Sequence, residues 1–289
     1  MKILLSGATG FTGRHFALAA QSIGHEVLPL YADLMDRAAV QKEVLATVPD
    51  AVVHLAAISF VGHADDSAFY AVNVVGTTNF LNALTQLPKV PRCVLLASSA
   101  NVYGNCNQSP ISEDQPPAPV NHYAAGKLAM EHMARTFCDQ LPVVIVRPFN
   151  YTGIGQSVSF VIPKLVHHFV HRVSSIALGN LHIEREYNDV RFVNNAYLKL
   201  LSMGVPGEIY NVCSGQTHTL QHVKDVLVEL TGHHMVMNVN PAFVRANEVH
   251  RLCGDPSKLA TCVGGFDLPA LPDTLRWMLQ AASQQAIGK

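Results

Sequence analysis

The chain has 289 residues, of which 49% are apolar, and its 20 basic and 21 acidic side chains leave a formal charge of −1. That length can bury a large core, either as one domain or as one domain with an added lobe. The near-zero charge excludes a general attraction to nucleic acid or to a charged membrane surface, so a discrete site for a small molecule is expected.

Short apolar runs alternate with segments of helical periodicity through the first half of the chain, which is typical of a parallel sheet covered by helices. Five runs are too apolar for half-exposed strands and are expected to be buried on both faces. These predicted strands are Lys2–Ser6, Glu26–Tyr31, Ala51–Ile58, Cys93–Ser98 and Val143–Pro148. The predicted helices between them are one opening at Gly10–Gly13, one capped by Asp36, and two over Ala71–Leu84 and His122–Phe137. The predicted fold class is α/β, with a Rossmann-type, doubly wound parallel sheet.

The alternation becomes irregular after Arg147-Pro148-Phe149-Asn150, where glycines and prolines divide the chain into shorter elements. We therefore expect a Rossmann-type domain over residues 1–150, completed by a return segment near 183–204. Residues 151–182 and 205–289 are expected to form a smaller α+β lobe that binds the substrate.

A glycine-rich turn, Gly7-Ala8-Thr9-Gly10-Phe11-Thr12-Gly13, follows the first strand directly. Without Cβ atoms the turn can be tight, and the N–H groups of the next helix can face a pyrophosphate. A plain glycine-rich turn is the alternative, but the position after the first strand of a βαβ pattern favours dinucleotide binding. Asp33, with Leu34 beside it, is placed about 20 residues on to meet the adenosine. Arg14 could instead meet a 2′-phosphate, so the choice between NAD and NADP stays open.

Tyr123 and Lys127 stand at i and i+4 of a predicted helix, so the phenol and the ammonium project from one face. A phenol of pKa about 10 is a poor acid or base at neutral pH, and we expect the ammonium and a cationic nicotinamide to lower that pKa. Ser98 and Ser99 support a catalytic interpretation of this pair, because they lie at the carboxyl end of the fourth strand, the edge where such sheets bind ligands. Ser99 is expected to hydrogen-bond the reacting oxygen, although a simple strand-end turn is the alternative.

Together these residues resemble the extended short-chain dehydrogenases that act on sugar nucleotides, and the resemblance covers nearly the whole chain. It also rests on Asn73, on the Pro-rich loop Glu113–Pro119 and on the motifs His54-Leu55-Ala56-Ala57 and Arg147-Pro148-Phe149-Asn150. The resemblance implies that Leu55, Ala56, Ala57, Asn73 and Pro148 join the cofactor site. It also implies a homodimer formed by the helices that begin near Ala71 and His122. Gly126 replaces the serine usual before the lysine, which adds flexibility without removing a reacting group.

The family's 4,6-dehydratases need an extra acid and base at positions occupied here by Ala100 and Asn101, neither of which can titrate. The candidate reactions are therefore ketone reduction, alcohol oxidation and epimerisation. Residues 148–156, 159–162, 185–190 and 210–216 are most similar to the GDP-4-keto-6-deoxy-D-mannose reductases. This resemblance implies a substrate pocket whose arginines suit a pyrophosphate. The implied substrate-binding residues are Ser99, Asn101, Asn150, Ser159, Arg185, Asn211, Arg245 and Glu248.

The expected function is reduction, with NAD(P)H, of a 4-keto-6-deoxy sugar linked to GDP, in which Tyr123 protonates the oxygen. A nucleotide-sugar 4-epimerase is the first alternative, because it uses the same residues but retains NAD. A non-catalytic dinucleotide sensor is the second alternative, because it needs only the glycine-rich turn.

The remaining features exclude other classes of site. The 15 histidines include neighbours such as His167-His168 and His233-His234, but adjacent histidines on a helix diverge by about 100°, so no metal is expected. Six cysteines without CxxC spacing are expected to be reduced. The apolar runs are shorter than the roughly 18 residues of a membrane span, and the first residues lack a signal-peptide pattern. A cytoplasmic enzyme with neither nucleic acid nor membrane as a partner is expected.

Overall fold

A computed structural model describes residues 1–59, 65–244 and 249–287, with side chains as far as residue 284. Six parallel strands form the central sheet, in the spatial order β2-β1-β3-β4-β5-β10. These strands are β1 (Lys2–Ser6), β2 (Glu26–Leu30), β3 (Ala51–His54), β4 (Val94–Ala97), β5 (Val143–Pro148) and β10 (Ile209–Val212). The order reverses between β1 and β3, and ligands bind at such a switch point in open α/β sheets.

Helices cover both faces of the sheet and form the apolar core of the lobe. The helices are α1 (Phe11–Ser22), α2 (Arg37–Thr47), α3 (Asp66–Tyr70), α4 (Thr77–Leu84), α5 (His122–Arg135), α6 (Val161–Val170), α7 (Val190–Met203), α8 (Leu220–Thr231), α9 (Ser257–Val263) and α10 (Leu271–Ile287). On one face α1, α7 and α9 pack against the sheet, and on the other α2, α4 and α5 do so. The predicted cap of α2 is confirmed, because the Asp36 carboxylate accepts from the N–H of Ala39 at 3.0 Å.

All five predicted strands are present, and three of them are shorter than expected. The strand predicted to continue to Ile58 ends at His54 because the chain then bends towards Ser6, whose hydroxyl accepts from the N–H groups of Leu55 and Ala56 at 3.2 Å. The third predicted helix, Ala71–Leu84, is α-helical only from Thr77 onward. A wide turn of π-helical geometry over Ala71–Gly76 separates α3 from α4.

The second half of the chain is shared between the sheet and a lobe. The lobe holds three small sheets, β11-β8-β13, β7-β12 and β6-β9. Their strands are β6 (Tyr151–Thr152), β7 (Ser175–Leu178), β8 (Glu184–Arg185), β9 (Asn188–Asp189), β11 (His218–Thr219), β12 (Val236–Val239) and β13 (Arg251–Leu252). A separate apolar core joins α6, α8 and α10.

More of the second half of the chain packs with the Rossmann domain than the sequence predicts. We expected residues 205–289 to belong to the lobe, but β10 pairs with β5 in the central sheet and α9 packs against α7 and β10. A four-residue strand is too short for its own pattern to show which sheet it joins.

All six cysteines are free, in agreement with the sequence-based prediction of reduced thiols. Within the described ranges, no helix is both long enough and apolar enough to cross a membrane.

Candidate active site

The glycine-rich turn after β1 is closely packed and leads directly into α1. Gly7 has a φ of +71°, and a Cβ added at Gly13 would lie 2.1 Å from the carbonyl oxygen of Gly7. The N–H of Gly10 donates to that same carbonyl at 3.0 Å. Among the residues described, no side chain caps α1 at Gly10. The first N–H groups of α1 are therefore open to an anionic group such as a pyrophosphate.

The predicted cofactor residues Leu55 and Ala56 lie against this turn. A Cβ added at Gly7 would lie 2.7 Å from the backbone nitrogen of Ala56 and 2.9 Å from the carbonyl carbon of Leu55. The buried side chain of Asn73 holds the same segment, because its oxygen accepts from the N–H of Ile58 at 3.0 Å. The structure thus brings Leu55 and Ala56 beside the glycine-rich turn, and it engages Asn73 with the backbone of Ile58, further along the same segment.

The two residues predicted at the adenosine end differ in exposure. Asp33 is exposed after β2, and its carboxylate accepts from the N–H of Met35 at 2.9 Å. Leu34 is buried, and a Cβ added at Gly76 would lie 2.8 Å from the Cβ of Leu34. Asp33 is therefore open to a ligand, whereas the Leu34 side chain is part of the core.

Arg14, predicted as a candidate for a 2′-phosphate, has two backbone partners in the structure. Its guanidinium donates to the carbonyl of Thr9 at 2.6 Å and to the carbonyl of Gly155 at 3.2 Å. Arg14 therefore ties the glycine-rich turn to the lobe, and contact with a phosphate would have to compete with these bonds.

Other residues of the same helical turn contact the start of the lobe. The hydroxyl groups of Thr12 and Tyr151 are hydrogen-bonded at 2.8 Å, and the Nε2 of His15 donates to the carbonyl of Ile154 at 2.7 Å. The rings of Phe11 and Tyr151 stack with centroids 6.0 Å apart. The anion-binding end of α1 is thereby joined to the segment that follows β5.

The three predicted catalytic residues converge at the carboxyl end of β4. Tyr123 and Lys127 are buried on α5, and the Nζ of Lys127 donates to the carbonyl of Ala97 at 2.7 Å. The Ser99 hydroxyl accepts from the backbone N–H of Asn101 at 3.2 Å and from its side-chain nitrogen at 3.1 Å. A hydrogen bond also joins Ser99 to the phenol of Tyr123. The structure therefore brings Ser99, Asn101, Tyr123 and Lys127 into one group.

Burial dominates the protonation of this group. It raises the pKa of Tyr123 to about 12, although the hydrogen bond with Ser99 acts in the opposite direction. Burial also lowers the pKa of Lys127 to about 8, although the charge of Glu131 raises it. Among the chain's own residues burial therefore outweighs the effect of Ser99, and the pKa of the phenol lies above its usual value; the lowering expected with a cationic nicotinamide stays a prediction. Tyr123 is held neutral at pH 7, the form that can donate a proton.

A buried ion pair next to these residues was missed by sequence reasoning. The Glu131 carboxylate accepts from the Nε and Nη2 of Arg147 at 3.0 and 2.6 Å, and from the Ser98 hydroxyl at 2.5 Å. Each of the two charged side chains is only 3% exposed. The available signal was the spacing, since Glu131 follows Lys127 by the same four residues that separate Lys127 from Tyr123.

His54 lies on the other side of Lys127 and is neutral. Its Nδ1 is hydrogen-bonded to the Ser6 hydroxyl at 2.7 Å, and its Nε2 to the Thr77 hydroxyl at 2.9 Å. Burial lowers the pKa of His54 to about 3, and the charge of Lys127 lowers it further. His54 therefore joins β1, β3 and α4 without carrying charge.

Two of the predicted substrate residues are exposed. Asn150 follows Pro148 at the carboxyl end of β5, on the same sheet edge as Ser99, and its carbonyl accepts from the N–H of Asn188 at 3.0 Å. Ser159 lies in the turn before α6, where its hydroxyl is hydrogen-bonded to that of Ser157 at 2.9 Å. Asn150 thus lies at the same edge of the sheet as Ser99, and Ser159 belongs to a separate segment of the lobe.

The predicted arginine of β8 is engaged with the backbone. Arg185 donates to the carbonyls of Val249 and His250, the latter at 3.2 Å. Arg185 therefore lies beside residues 249 and 250. Arg245 and Glu248 themselves lie outside the described residues.

Asn211 does not reach a ligand surface. It has no exposed area, its side-chain oxygen accepts from the Tyr103 hydroxyl at 2.7 Å, and its side-chain nitrogen donates to the carbonyl of Ile111 at 2.9 Å. Because both ends of the amide are bonded within the protein, the interpretation of Asn211 as a substrate contact is corrected to a structural role.

Within the described part of the chain, no three His, Cys, Asp or Glu side chains are grouped as metal ligands. The groups that the site does present are the hydroxyl, phenol and ammonium groups around β4 and the uncapped start of α1.

Comparison with known proteins gives consistent matches. A GDP-6-deoxy-D-talose 4-dehydrogenase of Aggregatibacter actinomycetemcomitans is 35% identical, over 91% of this chain and 92% of that protein. A GDP-6-deoxy-D-mannose reductase of Pseudomonas aeruginosa is 31% identical, over 96% of both. The structure of RMD from Pseudomonas aeruginosa complexed with NADPH superposes with a TM-score of 0.92, at 29% identity, over 98% of this chain and 99% of that one.

A family model described as GDP-mannose 4,6 dehydratase matches residues 26–264, most of the chain. The parallel sheet, the glycine-rich turn and the Ser99, Tyr123 and Lys127 group agree with the resemblance found in the sequence. The chain belongs to the GDP-mannose 4,6-dehydratase family, within the extended short-chain dehydrogenases.

Proposed function

We propose that this protein is an NAD(P)H-dependent reductase that converts a GDP-linked 4-keto-6-deoxy sugar to the corresponding alcohol. The observation that carries the proposal is the convergence of Ser99, Tyr123 and Lys127 at the carboxyl end of β4. The two named relatives, a dehydrogenase and a reductase of GDP-6-deoxy sugars, support the choice of substrate class.

The two relatives also narrow the identity of the ketone. The sugars 6-deoxy-D-talose and 6-deoxy-D-mannose differ only in configuration at C4. Oxidation at C4 removes this stereocentre, so both sugars yield the same 4-ketone. The proposed substrate is this shared compound, GDP-4-keto-6-deoxy-D-mannose, and the face of C4 that receives hydride decides which alcohol forms.

The residues at α1 fit a dinucleotide cofactor. The uncapped N-terminus of α1 suits a pyrophosphate, and exposed Asp33 suits the adenosine end. We place the cofactor along these residues, Gly7–Gly13, residues 55–57 and Pro148, with Arg14 and Asn73 supporting them. NAD(P)H bound there supplies the hydride.

The chain's own groups supply the proton and hold the ketone. The neutral phenol of Tyr123 donates its proton to the carbonyl oxygen, and its raised pKa keeps that proton available at pH 7. The Ser99 hydroxyl, held by Asn101, hydrogen-bonds the same oxygen. Lys127, fixed on the carbonyl of Ala97, supplies a positive charge that stabilises the phenolate left behind.

The proposal also covers the domain division, the pocket and the assembly. We place the sugar nucleotide between the sheet edge and the lobe, with Asn150, Ser159, Arg185, Arg245 and Glu248 as contacts. Residues 1–150, α7 and β10 then form the cofactor domain. The exposed apolar side chains of Tyr70 and Val75 support a homodimer formed through helices α3 to α5. A cytoplasmic location is part of the same proposal.

The direct test is incubation of the protein with GDP-4-keto-6-deoxy-D-mannose and NADPH or NADH. We expect the absorbance at 340 nm to fall in step with formation of one alcohol, identified by NMR at C4. The UDP- and dTDP-linked 4-keto sugars serve as controls and are expected to react slowly. Reduction of a dTDP- or UDP-linked sugar in preference to the GDP sugar would contradict the proposed substrate.

The same experiment separates the alternatives. A 4-epimerase interconverts two GDP alcohols without net oxidation of added NADPH. A non-catalytic sensor binds NADPH and turns over no sugar nucleotide. Stoichiometric release of oxidised cofactor with product excludes both.

A further inference from the structure

The buried carboxylate of Glu131 is the strongest feature that the proposed roles of Ser99, Tyr123 and Lys127 leave unused. Glu131 is 2% exposed and lies on α5, four residues after Lys127. It accepts hydrogen bonds from Arg147 on β5 and from Ser98, the neighbour of Ser99. One carboxylate thus contacts the strand end that carries Ser99, and its charge acts on the ammonium of Lys127, one helical turn away.

We infer that Glu131 is a positioning residue for the reduction, acting through Lys127 and through the Ser98–Ser99 strand end; this inference rests on the proposed function. Glu131 keeps Lys127 in its ammonium form inside the protein. It also fixes Ser98, and with it the start of the turn from which the Ser99 hydroxyl faces the phenol.

The charges around Lys127 explain why a carboxylate is needed there. Tyr123 on α5 and His54 on β3 are both neutral at pH 7. Arg147 on β5 is a second cation in the same buried region, and its bidentate bond to Glu131 keeps it charged. Without the carboxylate, two buried cations would remain with no anion between them, and Lys127 would lose its proton first because lysine is the weaker base.

The geometry also distinguishes a positioning role of Glu131 from a purely structural one. An ion pair that only stabilised the fold would need no link to the reacting group. Here the Ser98 hydroxyl donates to Glu131 at 2.5 Å, and the adjacent Ser99 opens the turn that holds Asn101. The guanidinium of Arg147 also lies 4.8 Å from the ring centroid of Tyr103, and the hydroxyl of Tyr103 donates to the side-chain oxygen of Asn211.

The test compares Glu131→Gln with the wild type across pH in the reductive direction. Activity is expected to fall on the alkaline side when Lys127 loses its proton. In E131Q this limb of kcat/KM is expected to move towards acid by about one pH unit or more. With the wild-type limb near pH 8, the loss is then about fivefold at pH 8, approaches about tenfold at higher pH and is small at pH 6. A limb at the same pH in both proteins, with a uniformly lower rate, would show a structural role and overturn the inference.

Two variants make the comparison specific. Glu186→Gln is the matched control, because Glu186 is equally buried and its carboxylate accepts from the N–H groups of Gly254 and Ser214 in a different part of the molecule. It is expected to lower the melting temperature without moving the limb. Glu131→Asp keeps the charge and is expected to restore the wild-type limb. An E186Q limb displaced as far as that of E131Q would also refute the role.

A second measurement does not need the sugar. Because Lys127 is proposed to contact the cofactor, NADPH affinity, measured by the fluorescence of the reduced nicotinamide, is expected to weaken at high pH and to do so at lower pH in E131Q. If E131Q does not fold, Glu131→Gln combined with Arg147→Met removes the carboxylate together with the second cation, and a smaller movement in the same acid-ward direction is expected; no movement would overturn the inference. If the wild type reduced no GDP-4-keto sugar, the proposed function would be wrong. The role of Glu131 would still be tested, because the NADPH titration does not need the sugar.

Discussion

Replacement of Tyr123 by Phe removes one hydroxyl from the proposed site and leaves its packing in place. The ring of Tyr123 meets Phe69 edge-on with centroids 5.9 Å apart, and this contact does not involve the hydroxyl. The variant is therefore expected to fold and to bind NADPH with nearly unchanged affinity, since Lys127 keeps its bond to Ala97.

The Tyr123→Phe substitution is expected to slow the chemical step. Tyr123 is the proton donor of the group, and Ser99 is an alcohol whose hydroxyl is already held by Asn101. Loss of a general acid lowers kcat by about 10²-fold or more, which corresponds to about 3 kcal/mol of transition-state stabilisation.

The assay follows NADPH oxidation at 340 nm with saturating GDP-4-keto sugar, next to NADPH titration by fluorescence. Tyr210→Phe is the matched control, because Tyr210 is also buried and its hydroxyl accepts from the N–H of Val205 at 3.2 Å. That variant is expected to keep the wild-type rate. A Y123F enzyme as fast as Y210F would refute the assignment of Tyr123 as the proton donor.

Three further predictions address the turn, the buried imidazole and the hydroxyl. Gly13→Ala places a Cβ 2.1 Å from backbone oxygen and is expected to cost about 1–3 kcal/mol of folding free energy and to weaken NADPH binding; wild-type values in thermal melting and titration would contradict this packing. His54 has a folded pKa of about 3, below its unfolded value of 6.5, so the unfolded chain gains a proton first and stability falls as the pH drops below 6.5. From pH 7 to pH 5 this amounts to about 2 kcal/mol, and in denaturant melts His54→Gln should show a correspondingly smaller loss. Ser99→Ala is expected to reduce kcat by about tenfold or more with NADPH affinity retained, and a rate equal to the wild type would remove Ser99 from the mechanism.

Much of the Rossmann half could be predicted because its signals are local. Runs that are apolar on both faces mark buried parallel strands, and Asp36 marks a helix start through its own side chain. Helical spacing alone predicts that Tyr123 and Lys127 project from one face of a helix. The structure adds the bond from Ser99, which depends on where β4 ends relative to α5.

The features that were missed depend on contacts between distant residues. The break between α3 and α4 accompanies the bonds of Asn73 to Ile58 and of the Thr77 hydroxyl to the carbonyl of Asn73 at 2.7 Å. Asn211 looked like a pocket residue, yet burial encloses its amide. The raised pKa of Tyr123 likewise reflects desolvation by the whole surroundings, which no local spacing reports.

The bonds from Thr12, Arg14 and His15 to residues 151–155 have a consequence for how the molecule moves. Opening and closing of the lobe cannot pivot at this point without breaking them, so the first residues after β5 move with α1. A dinucleotide that draws in the N-terminus of α1 therefore shifts one wall of the sugar pocket. Binding of the proposed sugar nucleotide is then expected to be coupled to binding of the dinucleotide, and linkage requires each ligand to change the affinity for the other by the same factor.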